Sequence, residues 1–433
     1  MAMKSWVESA NQPGIDFPLE NLPYGVFRYA HRTSIGVAIG DQVLDLGTCA
    51  SEGLLKALPS EVVDACTAQV LNPLMALGPQ AWTVLRREIK ALLVEDSADP
   101  RLRSRISAML IPMNDVEMKL PAQIGDYTDF YASIHHATRV GRLFRPDNPL
   151  LPNYKYVPIG YHGRSSSIVI SGTDIHRPDG QTKPPSATEP AFGPSRSLDY
   201  ELEVGMFVGP GNPLSQPVPV DEAEQRIFGL CLVNDWSARD IQSWEYQPLG
   251  PFLAKNFATT ISPWIVPMEA LAPYRVPAAN RASDDPAPLR YLEQKDAAHA
   301  AIEVTLEVLL RSQEMRERSL APMQLSRGNL RDLYWSPAQL VTHHASNGCN
   351  LRPGDLIATG TVSGPDEGSE GCLLEMKNRS EPITLPTGEK RAFLENGDEV
   401  TFRGYCHREG LPRIGFGECR GRIISAHALF TAG

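Results

Sequence analysis

Polar and apolar positions alternate most sharply over residues 197–208, Ser-Leu-Asp-Tyr-Glu-Leu-Glu-Val-Gly-Met-Phe-Val. A period of two predicts a strand, with Leu198, Tyr200, Leu202 and Val204 on one face and Asp199, Glu201 and Glu203 on the other. Same-face acids lie about 6.5–7 Å apart along a strand and repel unless the face is wet or a cation stands between them. After Arg226, the continuous apolar run Ile227 to Val233 predicts a strand buried on both faces, and it ends abruptly in Asn234-Asp235-Trp236-Ser237-Ala238-Arg239-Asp240. A charged cluster at the tip of a buried strand is where a site would be built.

The remaining pattern divides the chain. Residues 34–46 predict a hairpin turning at Gly40-Asp41, followed by helical periodicity near 51–77 and 80–95. This first region, to about residue 115, carries few candidate catalytic groups. Asp126 to Ala137 predicts a helix capped by Asp126, on which Asp129 and His136, seven apart, share a face. From 196 onward short strands and turns predict a mostly antiparallel architecture. Residues 312–346 read as more helical, with Ser336-Pro337 opening a capped helix whose His343 and His344 point apart and so make no metal pair.

Three further groups offer chemistry. Arg239, Gln242 and Tyr246 fall at i, i+3 and i+7, and a cation, an amide and a phenol on one helix face suit carboxylate and carbonyl oxygens. Lys255 sits among apolar and small residues and, if desolvated, needs a negative partner. The Arg352-Pro353-Gly354-Asp355 turn leads into Thr359-Gly360-Thr361, whose amides and Thr361 hydroxyl could hold a carboxylate. Taken singly, each is equally what a solvated face, a snorkelling lysine or a tight turn looks like.

Composition narrows the class. The 433 residues, 42% hydrophobic and 21% charged, fit a soluble enzyme of two or three domains, and the net charge of −10 argues against nucleic acid or an anionic membrane. There is no apolar leader or bilayer-length run, so the protein is expected in the cytoplasm. Seven scattered cysteines, never spaced C-x-x-C, imply neither zinc nor disulfides. The absence of G-x-S-x-G, of G-x-G-x-x-G after a strand and of a Walker A sequence speaks against serine-hydrolase chemistry and nucleotide cofactors.

Residues 21–27 (Asn-Leu-Pro-Tyr-Gly-Val-Phe), 124–131 (Ile-Gly-Asp-Tyr-Thr-Asp-Phe-Tyr), 160–164 (Gly-Tyr-His-Gly-Arg), 234–242 and 342–355 closely resemble the fumarylacetoacetase family, over nearly the whole chain. The resemblance implies a mainly β (α+β) fold, an SH3-like N-terminal β-barrel domain (1–117) plus a C-terminal mixed β-roll domain (118–433), in a homodimer. It implies metal-dependent hydrolysis of a carbon–carbon bond of a small anionic diketo acid, 4-fumarylacetoacetate, to fumarate and acetoacetate, the last step of tyrosine and phenylalanine breakdown. By motif, Ca²⁺ would be held by Asp129, Glu201, Glu203 and Asp235, with Asp199 outside the set. Mg²⁺ would sit at Asp235, Lys255 and Thr259, although Lys255 makes better sense as an oxyanion donor. His136 matches the general base and Glu375 the carboxylate orienting it. Arg239, Gln242 and Lys255 match oxyanion donors, and Tyr131, Arg145, Tyr161, Gln242, Tyr246 and Thr361 match substrate-binding positions. His135, beside His136, is the competing imidazole. The alternatives are an acylpyruvate hydrolase, decarboxylase or isomerase of the same fold, or a non-catalytic metal-binding scaffold, which would lack His136 or Glu375.

Overall fold

The computed structural model describes residues 3–96, 99–279, 281–376 and 382–427. Strands β1 (Tyr24–Tyr29), β2 (Arg32–Ile39), β3 (Gln42–Asp45), β4 (Leu110–Pro112) and β5 (Glu117–Lys119) form an antiparallel sheet in the order β4-β3-β2-β1-β5, with β2 and β3 joined at the predicted Gly40-Asp41 turn. Helix α1 (Pro79–Leu93) buries Leu85, Ile89, Leu92 and Leu93, the i, i+4, i+7, i+8 stripe of an amphipathic helix.

The second region is built on two sheets. The larger uses β6 (Tyr127–Phe130), β7 (Gly160–Gly163), β8 (Ile168–Ile170), β10 (Leu202–Val208), β11 (Ile227–Asp235), β12 (Thr259–Ile261) and β15 (Leu356–Ala358) in the order β7-β6-β15-β10-β11-β12-β8. The smaller, in the order β14-β13-β16-β17-β9, comprises β9 (Asp174–His176), β13 (Thr305–Arg311), β14 (Met323–Asn329), β16 (Glu399–Cys406) and β17 (Ile414–Ile424). Pairing is mostly antiparallel, with parallel contacts of β6 to β15, β8 to β12 and β9 to β17.

The unbroken apolar run follows from this layering. Leu230 and Leu232 of β11 join the core between the two sheets, whereas Cys231 and Val233 join a core shared with the N-terminal sheet and α1. A strand covered on both faces has no position left for polar residues until its end, where Asn234 and Asp235 emerge. Register then gathers the chemistry: Asp235 lies opposite Thr259, Leu202 opposite Asn234, and Asp129 beside Ala358.

Three predicted elements come out differently. Residues 126–137 are not one helix: Tyr127–Phe130 is β6, and helix α2 (Ile134–Phe144) begins after Ser133, whose side chain caps it by accepting from the His136 amide. β6 pairs with β15, more than 200 residues away, and that non-local pairing overrides the local helical spacing. The 197–208 strand is interrupted: Leu198–Asp199 pairs with Ser237–Ala238, and β10 begins only at Leu202. Within 312–346 the structure holds strand β14 as well as the expected capped helix, Pro337–Ala345.

Candidate active site

The site lies in a cleft of about 1490 Å³ at the ends of β6, β10 and β11. Asp129, Glu201, Glu203 and Asp235 converge there, all buried, with one ligand oxygen from each within 4.8 Å of the others. Two cations serve this cluster. Lys255 Nζ donates to Glu201 Oε2 (2.5 Å) and Asp235 Oδ2 (2.7 Å), and Arg239 pairs with Glu201 Oε1 (2.6 Å) and Asp199 Oδ2 (3.0 Å). Five buried carboxylates therefore face two cations.

The deficit falls on two residues. Both oxygens of Glu203 and Oδ1 of Asp129 find no donor. Burial, followed by the charges of Asp129 and Asp235, pushes Glu203 well above the usual carboxylate range; burial and Asp235 do the same to Asp129. Only a shared proton or a cation can hold such carboxyls together. Burial also raises Glu201, but Arg239 and Lys255 outweigh it and hold this carboxyl below its ordinary range. An all-oxygen set of four carboxylates fits a hard divalent cation. Lys255 itself does not fit as a ligand: burial disfavours its charge, but Asp235 and Glu201 more than offset that, and a protonated amine has no lone pair to give. The expected Mg²⁺ set thus keeps only Asp235 and Thr259, whose hydroxyl already donates to Asp235 Oδ1 at 3.1 Å.

In the same cleft lining, His136 Nδ1 meets Glu375 Oε1 at 2.6 Å. Glu375 is buried on the short helix Leu373–Met376, and Asp199 anchors that helix by accepting from the amides of Leu373 (2.8 Å) and Leu374 (3.0 Å) while pairing with Arg239. This is the role of the third acid in the opening pattern. His136 lines the cleft, with Tyr131 packed edge-on against its ring at 5.3 Å, whereas His135 lies outside the lining.

The other expected residues assemble around the two centres. Arg239, Gln242 and Tyr246 follow helix α3 (Arg239–Glu245) along the cleft wall, and Arg239 Nη1 donates to Gln242 Oε1 at 3.1 Å while its Nη2 has no acceptor. Tyr161 donates to Asp235 Oδ2 at 2.9 Å, Thr361 is buried in the lining, and Arg145 stands exposed at the rim. In the loop at 359–361 the Thr359 amide is bonded to the Val204 carbonyl and the following Val362 amide to that of Leu202, which fixes the loop with Gly360 and Thr361 in the cleft lining. Sequence reasoning missed Arg139, Ser363 and Cys372, which surround Glu375; only Arg139, three residues after His136 on the same helix, left a readable spacing.

Fold and site together define an enzyme, with a carboxylate cluster and a histidine–carboxylate pair sharing one cleft. Residues 127–424 match the family model for the fumarylacetoacetate hydrolase C-terminal region and residues 20–121 that for the fumarylacetoacetase N-terminal region. The chain is 50% identical over 434 residues to fumarylacetoacetase of Caenorhabditis elegans, spanning 98% of this chain and 100% of the relative. It is 47% identical to the human protein of that name over 419 residues, 95% of this chain and 97% of the relative. Among solved structures, a fumarylacetoacetate hydrolase from psychrophilic Exiguobacterium antarcticum superposes with a TM-score of 0.52 at 16% identity, covering 94% of this chain and 100% of that one, a likeness of fold. The chain belongs to the fumarylacetoacetate hydrolase family.

Proposed function

We propose that the protein hydrolyses the carbon–carbon bond of 4-fumarylacetoacetate, releasing fumarate and acetoacetate. The observation that carries this reading is one cleft lined by His136, which is paired with Glu375, by Asp129 and Glu201 of the four-carboxylate cluster, and by Arg239, Gln242 and Lys255. A Ca²⁺ ion held by Asp129, Glu201, Glu203 and Asp235 would neutralise the surplus charge and supply Lewis acidity toward the diketone oxygens.

The chain's own residues supply the remainder. Glu375 accepts from Nδ1 of His136 and fixes the tautomer in which Nε2 can take a proton from water. That water adds to the carbonyl carbon next to the fumaryl group, and Arg239 Nη2, the Gln242 amide and Lys255 donate to the developing oxyanion, a contribution of about 3–4 kcal/mol per donor. Collapse breaks the bond to the acetoacetate carbon, which takes back the proton carried by His136. Tyr131, Arg145, Tyr161, Tyr246 and Thr361 hold the substrate's carboxylates and carbonyls.

Family membership supports a homodimer. The exposed Trp244, Leu249, Phe252 and Leu253, close together in sequence, with Leu249 at the cleft, offer it an apolar surface. The reaction would close tyrosine and phenylalanine breakdown in the cytoplasm. The test is product analysis with purified protein and fumarylacetoacetate. Equimolar fumarate and acetoacetate are expected, with turnover lost by at least a thousandfold in His136→Ala while cation binding persists. Near-normal turnover by that variant would remove His136 from the base role.

A further inference from the structure

Glu375 is more heavily engaged than one partner for His136 would require. Its Oε1 accepts from Ser363 Oγ at 2.6 Å as well as from His136 Nδ1, and its Oε2 accepts from Arg139 Nη1 at 3.3 Å. Ser363 does more than donate: its Oγ accepts from the Gly371 amide (2.9 Å), and its carbonyl accepts from Ser133 Oγ (2.9 Å). Ser133 is the cap of α2 and accepts from the His136 amide at 3.2 Å. A closed ring therefore runs from the backbone of His136 through Ser133 and Ser363 to Glu375 and back to the His136 imidazole, with all four residues buried. Arg139 braces it from outside, its Nη2 donating at 3.1 Å to the carbonyls of Pro365 and Asp366, which follow Ser363 in the chain.

We propose that Ser363 and Arg139 are positioning residues for the hydrolysis, fixing the Glu375 carboxylate so that His136 presents Nε2 to the cleft. The inference rests on reading His136 as the base. A glutamate side chain has three rotatable bonds, and a single hydrogen bond to a ring would leave the carboxylate free to pivot. Here the Ser363 hydroxyl settles which oxygen lies toward the imidazole, and Arg139 occupies the other. Other titratable groups sense Glu375, namely His135, Tyr131, Tyr200 and Cys372, but burial favours the neutral form of each. Arg139 is left as the standing charge opposite the carboxylate. The same two groups link the loop at 363–366 to both halves of the dyad, so neither the helix nor the loop can shift without the imidazole moving.

The experiment is steady-state kinetics and pH profiles for Ser363→Ala and Arg139→Gln, with Arg139→Lys as the conservative variant and Glu375→Gln as the background for a double-mutant cycle. Each single variant is expected to lower kcat at least tenfold with KM within about twofold, as a misplaced base does. Loss of a donor or a positive charge makes Glu375 a stronger base and favours imidazolium, so the acid limb of kcat/KM moves to higher pH, further for Arg139→Gln than for Ser363→Ala. Arg139→Lys should recover part of both effects. In Glu375→Gln the second substitution should cost less than twofold more. An unchanged kcat and acid limb, or full additivity with Glu375→Gln, overturns the positioning role. If Ser363→Ala does not fold, Arg139→Gln decides alone, since that side chain reaches the helix surface. Failure of His136→Ala to abolish turnover would instead overturn the base reading, and the two failures are distinct.

Discussion

Replacing Glu203 with Gln should stabilise the cation-free protein, an unusual outcome for a buried substitution. The ligand oxygens of the cluster lie within 4.8 Å of one another, and two unit charges at that separation repel by about 3.5 kcal/mol at an effective dielectric of about 20. Glu203 meets no donor, and the attraction of Lys255 is outweighed by burial and by the charges of Asp129, Asp235 and Glu201, so protonation is its main relief. Allowing for that relief, Glu203→Gln should gain about 2–3 kcal/mol in chelator, which for a chain of this length raises the melting temperature by about 2–3 °C. With Ca²⁺ the order reverses. The parent gains about 4.1 kcal/mol at a thousandfold excess over its dissociation constant, more than the lead of about 2–3 kcal/mol the variant holds in chelator, while the variant, short of a ligand, gains little. The sign with pH is also fixed. A carboxyl raised by folding contributes stability below its unfolded value near 4.3 and loses it as pH rises through the folded one. The chelator-treated parent should therefore fall further behind the variant between pH 5 and pH 8. The assay is thermal melting of both proteins with EDTA and with Ca²⁺; a variant less stable than the parent in EDTA, with its Ca²⁺ response intact, refutes the reasoning.

Arg239→Met leaves buried Asp199 with amide donors but no cation, leaves Glu201 with Lys255 alone, and should cost about 3–5 kcal/mol in urea unfolding; a cost under 1 kcal/mol would mean the pairs are not as described. Burial raises Glu375, but His136, Ser363 and Arg139 outweigh it and hold this carboxyl below its usual range, so its stabilisation exists above the unfolded value and drains away as pH falls through the folded one. The stability gap between the parent and Glu375→Gln, about 1–2 kcal/mol at pH 7 for a buried charged hydrogen bond, should accordingly shrink below pH 4; a gap that grows there contradicts the assignment. Gly360 has φ +74°, and a Cβ on it would stand 2.1 Å from the Phe130 carbonyl oxygen. Gly360→Ala should cost about 1–3 kcal/mol and lower kcat by displacing Thr361 and Tyr131, and kinetics with a melting curve will show both effects or neither.

Local patterns revealed the pieces of this site better than its frame. The alternation at 197–208 singled out Glu201 and Glu203, and the buried run ending in Asp235 marked the strand tip, because burial on two faces leaves a compositional trace. Helical spacing grouped Arg239, Gln242 and Tyr246, which α3 does line up. The Asp129–His136 spacing brought together, for the wrong reason, two residues that do line one cleft. They sit on a strand and a helix, and a parallel pairing to residues 356–358 decides that. The same limit hid Ser363 and Asp199: their roles depend on contacts with Glu375, Leu373 and Leu374, more than ten residues away in one case and more than a hundred in the other. Periodicity carries no record of such distances, and only the resemblance supplied Glu375.

The most direct test is turnover of 4-fumarylacetoacetate by protein stripped with chelator, measured before and after Ca²⁺ is restored. The account predicts that cleavage to fumarate and acetoacetate is lost on stripping and returns with the ion, in the parent but not in Glu203→Gln. Undiminished cleavage by the stripped protein would contradict it.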